Sequence, residues 1–215
     1  MFQYPDPILL AGALATLGLL PFMVVMLTAY TKLVIVLLIL RNALGLQQIP
    51  PNIVMHGIAL AMTMFASYPL AMEIYHIVQS RMDSIESITH LILVFDDIEV
   101  PLKRHLSSNS NPSDVAIFRE LADQIWPPEL RLNNDNSYAI LIPGFITSEL
   151  VKAFEIGFVI YLPFIVIDLA VSNILISIGA MMISPITVTL PIKLFLFVYA
   201  DGWVRLLNSL VSGYQ

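Results

Sequence analysis

The segment Ile156–Ile183 has the sequence IGFVIYLPFIVIDLAVSNILISIGAMMI and contains one charged residue, Asp168. About twenty apolar residues in a helix cross the hydrocarbon core of a bilayer, so this stretch predicts a membrane-type helix. The run Gly179–Pro185 then predicts a break, because glycine and proline interrupt regular structure. Another apolar segment follows at Ile186–Leu210. The two segments together predict a helical hairpin.

A second pair of apolar segments lies in the N-terminal part of the chain. Ile8–Leu40 contains 33 residues with Lys32 as the only charge, and Pro21 within it is expected to bend the helix. Gly45–Pro51 predicts a helix stop, and Ile53–Ile74 is apolar again. These segments predict a second helical hairpin. The residues before them lack the basic stretch of a cleavable signal, so we expect the first segment to be retained.

The chemistry of the chain changes between these two hairpins. Ten of its 16 acidic residues and five of its ten basic residues lie between Tyr75 and Ser137. We therefore expect three parts: a hydrophobic hairpin over residues 1–76, an acidic and partly helical region over 77–139, and a second hydrophobic hairpin over 140–215. The fold class predicted is all-α, of membrane-protein type.

The composition excludes most soluble classes of protein. Apolar residues make up 58% of the chain and charged residues 12%, with a mean hydropathy of +0.82. A soluble domain of 215 residues exposes too much surface to cover it with so few polar side chains. The net charge of -6 argues against nucleic acid as a partner, and the absence of cysteine excludes disulfides and thiolate sites.

The distribution of basic residues predicts an orientation in the membrane. Lys32 and Arg41 flank the first predicted turn, and the long region that follows is acidic. The positive-inside rule then places the first turn in the cytoplasm and the acidic region on the periplasmic side.

Two ionisable residues, Asp168 and Lys193, lie in predicted apolar helices, where a charge usually faces a partner or a pore. One interpretation pairs them across the C-terminal hairpin, so that each offsets the desolvation of the other. The other interpretation gives Asp168 a role in a proton relay. Pairing is favoured because one acid and one base make a poor proton chain. Glu149, Lys152 and Glu155 share one helical face, and we expect them to make polar contacts between subunits.

Signatures of enzymes are weak in this chain. Asp168 and Asp201 both lie within apolar segments, as the paired carboxylates of an intramembrane protease would, but the residues around them do not resemble the signatures of such enzymes. No G-x-S-x-G motif for a serine nucleophile occurs. Glu73 and His76 form one carboxylate–histidine pair, whereas a metal site needs three or four ligands. We expect no catalytic residue, no metal and no cofactor. The alternative function is a small-solute transporter or ion channel subunit, although the chain lacks two halves with matching broken helices.

The tip of the predicted C-terminal hairpin contains Met181 and Met182. Methionine side chains are flexible and adapt to varied contours. Two interpretations are open. Met181 and Met182 either pack within the fold or face lipid, or the hairpin tips of symmetric copies bring them together around an axis.

Several long stretches resemble the R-type subunit of the type III secretion export apparatus, whose flagellar relative is the FliP family. The matching stretches are Leu20–Phe22, Thr31–Leu37, Leu40–Asn52, Thr147–Leu150, Ala153–Phe158, Leu162–Leu169, Leu190–Leu194 and Asp201–Trp203. They extend from about residue 16 to residue 210, and the acidic middle region is the least similar part. The short length and the Gln47–Gln48 element look more like the injectisome branch than the flagellar branch.

This resemblance implies a non-enzymatic role in the bacterial inner membrane. Family members form a homopentameric ring with S-type and T-type subunits, and we expect U-type and V-type subunits beside them. Unfolded secreted proteins pass through the axis of the ring. The family implies contact with lipid and an assembly raised toward the periplasm. Its methionine gasket maps onto Ala180, Met181 and Met182, with alanine where the family has the first of three methionines.

Overall fold

The computed structural model describes residues 14, 18–19, 21–82, 88–131, 137–180 and 182–214, and within these ranges every regular element is helical. The prediction of an all-α fold is confirmed for this part of the chain. The helices are α1 (Pro21–Leu27), α2 (Tyr30–Ala43), α3 (Asn52–Ala66), α4 (Tyr68–Met82), α5 (Ile88–Asn109), α6 (Pro112–Ile125), α7 (Tyr138–Ser177), α8 (Pro185–Tyr199) and α9 (Gly202–Ser212), with a 3-10 turn at Pro128–Leu130.

Helix α7 is the central element, with 40 residues. The backbone N–H of Ala139 donates to the Ser137 hydroxyl at its N-terminus, 3.4 Å away, which satisfies one otherwise free donor. Gly179 ends the helix with a φ of +76°, a left-handed conformation that glycine adopts without steric cost. The predicted break between the two C-terminal apolar segments is therefore present.

Three of the four apolar segments are bent, whereas the sequence predicted a bend only in the first of them, at Pro21. The bends measure 79° between α1 and α2, 57° between α3 and α4, and 62° between α8 and α9. Of the described helices, α7 alone is long and apolar enough to cross a membrane by itself, and up to four spans exist if each bent pair counts as one. The predicted first segment also includes residues 8–13, 15–17 and 20, which lie outside the described residues.

The bends have local causes in the sequence. Pro69 lies in the first turn of α4, where proline is tolerated because the backbone N–H there has no partner within the helix, so its position favours the start of a new helix. Asp201 separates α8 from α9 with a φ of +52°, which ends one helix before the next begins. Thr28 and Ala29 form the break between α1 and α2.

Helix α2 lies in the main core, packed against α7 and α3. Its inward face is fully buried, and α9 contributes two leucines to the same cluster. The buried apolar residues of α2, α3, α7 and α9 include Leu33, Val36, Leu37, Leu40, Met55, Ala59, Ala153, Leu206 and Leu210. Gly157 on α7 allows the close approach of α2, because a Cβ atom there would lie 2.4 Å from Ile39 Cδ1.

The acidic region packs against the N-terminal end of α7 and forms a second core. Its buried residues are Leu27, Leu106, Val115, Ala122, Ile140, Leu141 and Phe145. Helix α6 begins after Asn111, whose side chain accepts a hydrogen bond from Ser113 N at 3.2 Å. Arg81 pairs with Asp97 at 2.8 Å and thereby joins α4 to α5. The three-part division of the chain stays a prediction.

Replacing Gly157 with alanine is expected to destabilise the contact between α2 and α7 by about 1–2 kcal/mol, because the added methyl group meets Ile39. Adding Ile39→Val, which removes the clashing Cδ1 atom, should recover part of the loss. Thermal unfolding in detergent measures both effects.

The matched control is Gly57→Ala on α3, where a Cβ atom would meet nothing within 4 Å. This change should be neutral or stabilising by at most about 1 kcal/mol, because it removes backbone freedom from the unfolded chain. Equal losses for the two alanine variants would contradict the close approach at Gly157.

Candidate functional site

The structure brings Asp168 and Lys193 together. Lys193 on α8 donates a hydrogen bond to Asp168 Oδ2 on α7, with an N–O distance of 2.6 Å. The lysine side chain is 6% exposed and the aspartate side chain 43% exposed. The ammonium group is therefore enclosed by the protein, whereas the carboxylate reaches an open cavity of about 230 Å³.

The same ammonium group also holds the end of α2. Lys193 Nζ donates to the backbone oxygen of Ala43 at 3.0 Å, and Ala43 is the last residue of α2. The last carbonyl groups of a helix lack partners within the helix and carry partial negative charge, so a cation there is favourable. Lys193 thus links three helices, α2, α7 and α8, through one side chain.

Glu149 lies inside the chain rather than on its surface. Its side chain is 1% exposed, with Lys152 Nζ 3.5 Å from Oε1 and Lys32 Nζ 3.9 Å from Oε2. Neither carboxylate oxygen has a hydrogen bond in the structure. Lys152 Nζ also donates to Asn109 O at 2.6 Å, which ties α7 to the end of α5. We name Lys32, Glu149 and Lys152 the buried ionic cluster.

The C-terminal segment covers this cluster. Lys32 Nζ lies 3.7 Å from the centroid of the Tyr214 ring, close enough for a cation–π interaction. Sequence reasoning missed Lys32 and Tyr214 as members of the cluster. Lys32 had a signal, because it is the one charge in a long apolar segment. Tyr214 had none, because its contact joins residues far apart in the sequence.

Glu155 is separate from the two residues with which sequence spacing grouped it. Its side chain is exposed and makes no hydrogen bond or ion pair with any described residue. It lies at the edge of a groove between α7 and α9. Of Glu149, Lys152 and Glu155, which were predicted to make contacts between subunits, Glu155 is therefore the one whose side chain is available to bind another chain.

The tip between α7 and α8 is described except for Met181, which lies outside the described residues. Ala180 N donates to Leu175 O at 2.9 Å, so the chain turns sharply at the end of α7. Met182 is fully exposed at this tip. The described part of the chain does not cover its thioether.

The residues considered for catalysis or metal binding have other partners or lie apart. Asp168 binds Lys193, and Asp201 is exposed between α8 and α9. Glu73 pairs with Arg104 of α5, while the ring of His76 contacts the ring of Tyr75. Within the described ranges, no group of three or more histidine, aspartate or glutamate side chains is placed to hold a metal ion.

Comparison with known proteins identifies the family. The sequence pattern of the FliP family matches residues 13–210, which is most of the chain. The chain belongs to the FliP family. The resemblance predicted from the sequence, to the R-type subunit of the type III secretion export apparatus, is confirmed.

Full-length relatives of this FliP-family chain include proteins named for translocation, secretion and virulence. Yop proteins translocation protein R of Yersinia pestis is 44% identical over 216 residues, covering 100% of this chain and 99% of the relative. Harpin secretion protein HrpW of Pseudomonas syringae pv. syringae is 44% identical, covering 96% of this chain and 100% of the relative. Virulence protein YscR of Salmonella typhimurium is 40% identical, covering 98% and 99%.

A third polar region of this FliP-family chain surrounds His105 on α5. A cavity of about 390 Å³ lies between α4, α5 and the C-terminal segment, and His105, Arg104 and Tyr214 contribute to its walls. Burial lowers the pKa of His105 below its ordinary value of 6.5, and the nearby backbone of Leu27 opposes that shift only in part. The neutral imidazole is therefore the form that the fold favours.

The Asp168–Lys193 pair predicts the order in which substitutions at these residues lower the stability of the chain. Asp168→Ala should destabilise the chain by about 2–3 kcal/mol, because it leaves a buried ammonium group without its carboxylate. Lys193→Met should cost less, because the remaining carboxylate reaches the open cavity. The double variant should resemble Lys193→Met. Unfolding of the three variants in detergent tests this ordering, and a larger loss for Lys193→Met than for Asp168→Ala would contradict it.

The protonation of His105 predicts a pH dependence of stability. Below pH 6.5 the unfolded chain binds a proton at this residue more readily than the folded chain, so stability should fall as the pH decreases from 6.5 toward the lowered pKa. Above pH 6.5 the contribution is constant. His105→Gln should flatten this part of the profile, measured as the thermal midpoint in detergent. Ser107→Ala, at an exposed residue of the same helix that does not titrate, is the control and should keep the pH dependence of the unchanged chain.

Proposed function

We propose that this chain is a ring-forming subunit of a type III secretion export gate, lining the path of unfolded proteins across the bacterial inner membrane. The observation that carries the proposal is the family match over residues 13–210, together with relatives of equal length named for translocation and secretion. The proposed partners are further copies of the chain in a pentamer, S-type and T-type subunits, and U-type and V-type subunits beside them.

The uncovered apolar surface supports assembly. Helices α7 and α8 expose many large apolar side chains, and α9 exposes Val204. Examples are Phe154, Phe158, Val159, Val166, Leu169, Ile174, Phe195, Tyr199 and Val204. A contiguous exposed apolar patch beyond a few hundred Å² marks contact with protein or membrane. Glu155 on α7, Arg205 on α9 and Asp201 between α8 and α9 are also exposed, so a surface facing only lipid would leave their charges unpaired.

The tip between α7 and α8 supports the proposed gasket. Met182 is fully exposed, Ala180 is half-buried and Gly179 fixes the turn that presents them. In a ring, tips from symmetric copies meet around one axis. We propose that Met181 and Met182, beside Ala180, close the resting channel to ions and yield to a passing polypeptide, because thioether side chains change shape easily.

The membrane arrangement belongs to the same proposal. The single long helix α7 and the three bent pairs supply enough apolar length for a multi-pass subunit with two hairpin-like halves and a periplasmic acidic region. Protein neighbours replace lipid around part of this surface when the ring is raised toward the periplasm. Hydropathy alone does not separate these two environments, because both are apolar.

Replacing Met181 and Met182 together with alanine tests the gasket. Removal of both thioethers from every copy should widen the closed tip, so the leakage of small ions through the assembled gate should rise while protein secretion continues. Conductance across a membrane that contains the assembled gate measures the leakage.

The control is Met64→Ala on α3, which removes an exposed methionine far from the tip in sequence and should leave conductance unchanged. Unchanged conductance in the double variant would contradict the gasket. Particle images of the detergent-extracted assembly test the wider proposal, because they report whether the α7–α8 tips lie near a central axis.

A further inference from the structure

The residues that follow α9 close one side of the buried ionic cluster. The ammonium nitrogen of Lys32 lies 3.7 Å from the centre of the Tyr214 ring. A Cβ atom added to Gly213 would lie 4.0 Å from the same nitrogen, so the backbone of Gly213 also passes close to the lysine. We name Gly213 and Tyr214 the Tyr214 lid.

The carboxylate of the cluster lacks hydrogen bonds. Both Glu149 oxygens are buried and neither forms a hydrogen bond with a described residue. Lys32 Nζ is 3.9 Å from Glu149 Oε2, which is longer than a hydrogen bond, although the lysine side chain is 5% exposed. A buried charge without hydrogen bonds gains free energy when water reaches it. The closed fold therefore keeps from water an ion pair that water would stabilise.

A polar cavity adjoins the lid. It has a volume of about 390 Å³, lies between α4, α5 and Tyr214, and has exposed Arg104 in its wall. Two residues that line this cavity also contact the cluster. Tyr214 covers Lys32, and Asn109 O accepts a hydrogen bond from Lys152. The cavity and the cluster therefore share a wall, and Tyr214 is part of it.

The contacts that hold the lid closed are few. The Tyr214 backbone N–H donates to Val211 O at 3.0 Å, within the last turn of α9. The Tyr214 hydroxyl is buried and forms no hydrogen bond with a described residue. No described hydrogen bond therefore joins the lid to α2, α4 or α5. The ring contact with Lys32 and apolar packing favour the closed position, whereas the unpaired hydroxyl opposes it.

We propose that the Tyr214 lid opens while the rest of the fold stays intact, and that opening admits water from the cavity to Lys32 and Glu149. Closing the lid gains one cation–π contact and the burial of one ring, and opening it hydrates one hydroxyl and one ion pair. Because these opposing contributions are of similar size, the lid opens at a lower free energy than the whole chain unfolds. This inference is independent of the proposed function.

Opening of the lid changes the contacts of three helices. The cluster joins α2 to α7 through Lys32 and Glu149, and it joins α7 to α5 through the bond from Lys152 to Asn109. Water weakens the attraction between charges through its high dielectric constant. Hydration of the cluster therefore loosens the junction of α2, α5 and α7. The lid is a conformational device that couples the end of α9 to the acidic region.

Labelling of Lys32 with a small, water-soluble amine reagent tests the proposal. The full chain is purified in detergent, and mass spectrometry after digestion measures the rate at which each lysine reacts. Tyr214→Phe keeps the ring and removes the unpaired hydroxyl, so Lys32 should react at least about threefold more slowly. Tyr214→Ala removes the ring, so Lys32 should react at least about tenfold faster. Lys103 on α5, outside the cluster, is the internal reference and should react equally in every variant.

The matched control is Tyr199→Ala, which removes an exposed tyrosine of α8 that contributes to neither the cluster nor the cavity. It should leave the labelling of Lys32 unchanged. If Tyr214→Ala does not fold, Tyr214→Leu takes its place, since leucine keeps apolar bulk without the ring, and it should also accelerate labelling.

Low concentrations of urea distinguish opening of the lid from unfolding of the chain. Local opening exposes little surface, so the labelling rate of Lys32 should change little with urea. A rate that rises as steeply with urea as unfolding of the whole chain would overturn the proposal. Equal labelling of Lys32 in the unchanged chain, the Tyr214→Phe variant and the Tyr214→Leu variant would also overturn it.

Discussion

Two buried lysines fix helix α2, and the rest of the structure is arranged around that helix. At one end, Lys32 reaches from α2 toward Glu149 of α7. At the other end, Lys193 of α8 donates to Ala43 O, the last carbonyl group of α2, and to Asp168 of α7. Apolar packing between α2 and α7 is non-directional, so it specifies contact without register. The two ammonium groups supply the register, because Lys32 lies near Glu149, and Lys193 meets both Asp168 and Ala43 O, only in this alignment of the helices.

This arrangement explains how a chain with so much apolar surface has a defined fold. Two ionic contacts, around Lys193 and around Glu149, lie between helices, while many large apolar side chains remain exposed on α7 and α8. So much exposed apolar surface requires lipid or protein neighbours to cover it. Membership of the FliP family agrees with this distribution.

Sequence alone predicted the features that depend on local pattern. The all-α class and the break at Gly179 follow from apolar length and from the conformational freedom of glycine. Asp168 and Lys193 were singled out because charges are rare in apolar helices, and the structure places them 2.6 Å apart.

The features that sequence reasoning did not predict depend on position in three dimensions. At the bend between α8 and α9, Asp201 has a left-handed backbone conformation although it is not glycine. The sequence pattern did not indicate a bend at this residue. Glu149 and Glu155 have the same chemistry and nearly the same helical face, yet one is buried beside two lysines and the other is exposed. Only the packing of α2 and of the C-terminal segment decides between these two environments.

The length of α7 has a consequence for where the molecule sits. A helix of 40 residues extends about 60 Å, whereas the hydrocarbon layer of a bilayer is about 30 Å thick. A helix that crosses the bilayer straight therefore leaves roughly half of its length in water, among the lipid headgroups or surrounded by other protein. The end that carries the acidic region and the end that carries the methionine turn cannot both lie within the oily layer. If α7 crosses the bilayer straight, the subunit therefore extends beyond the hydrocarbon layer on at least one side.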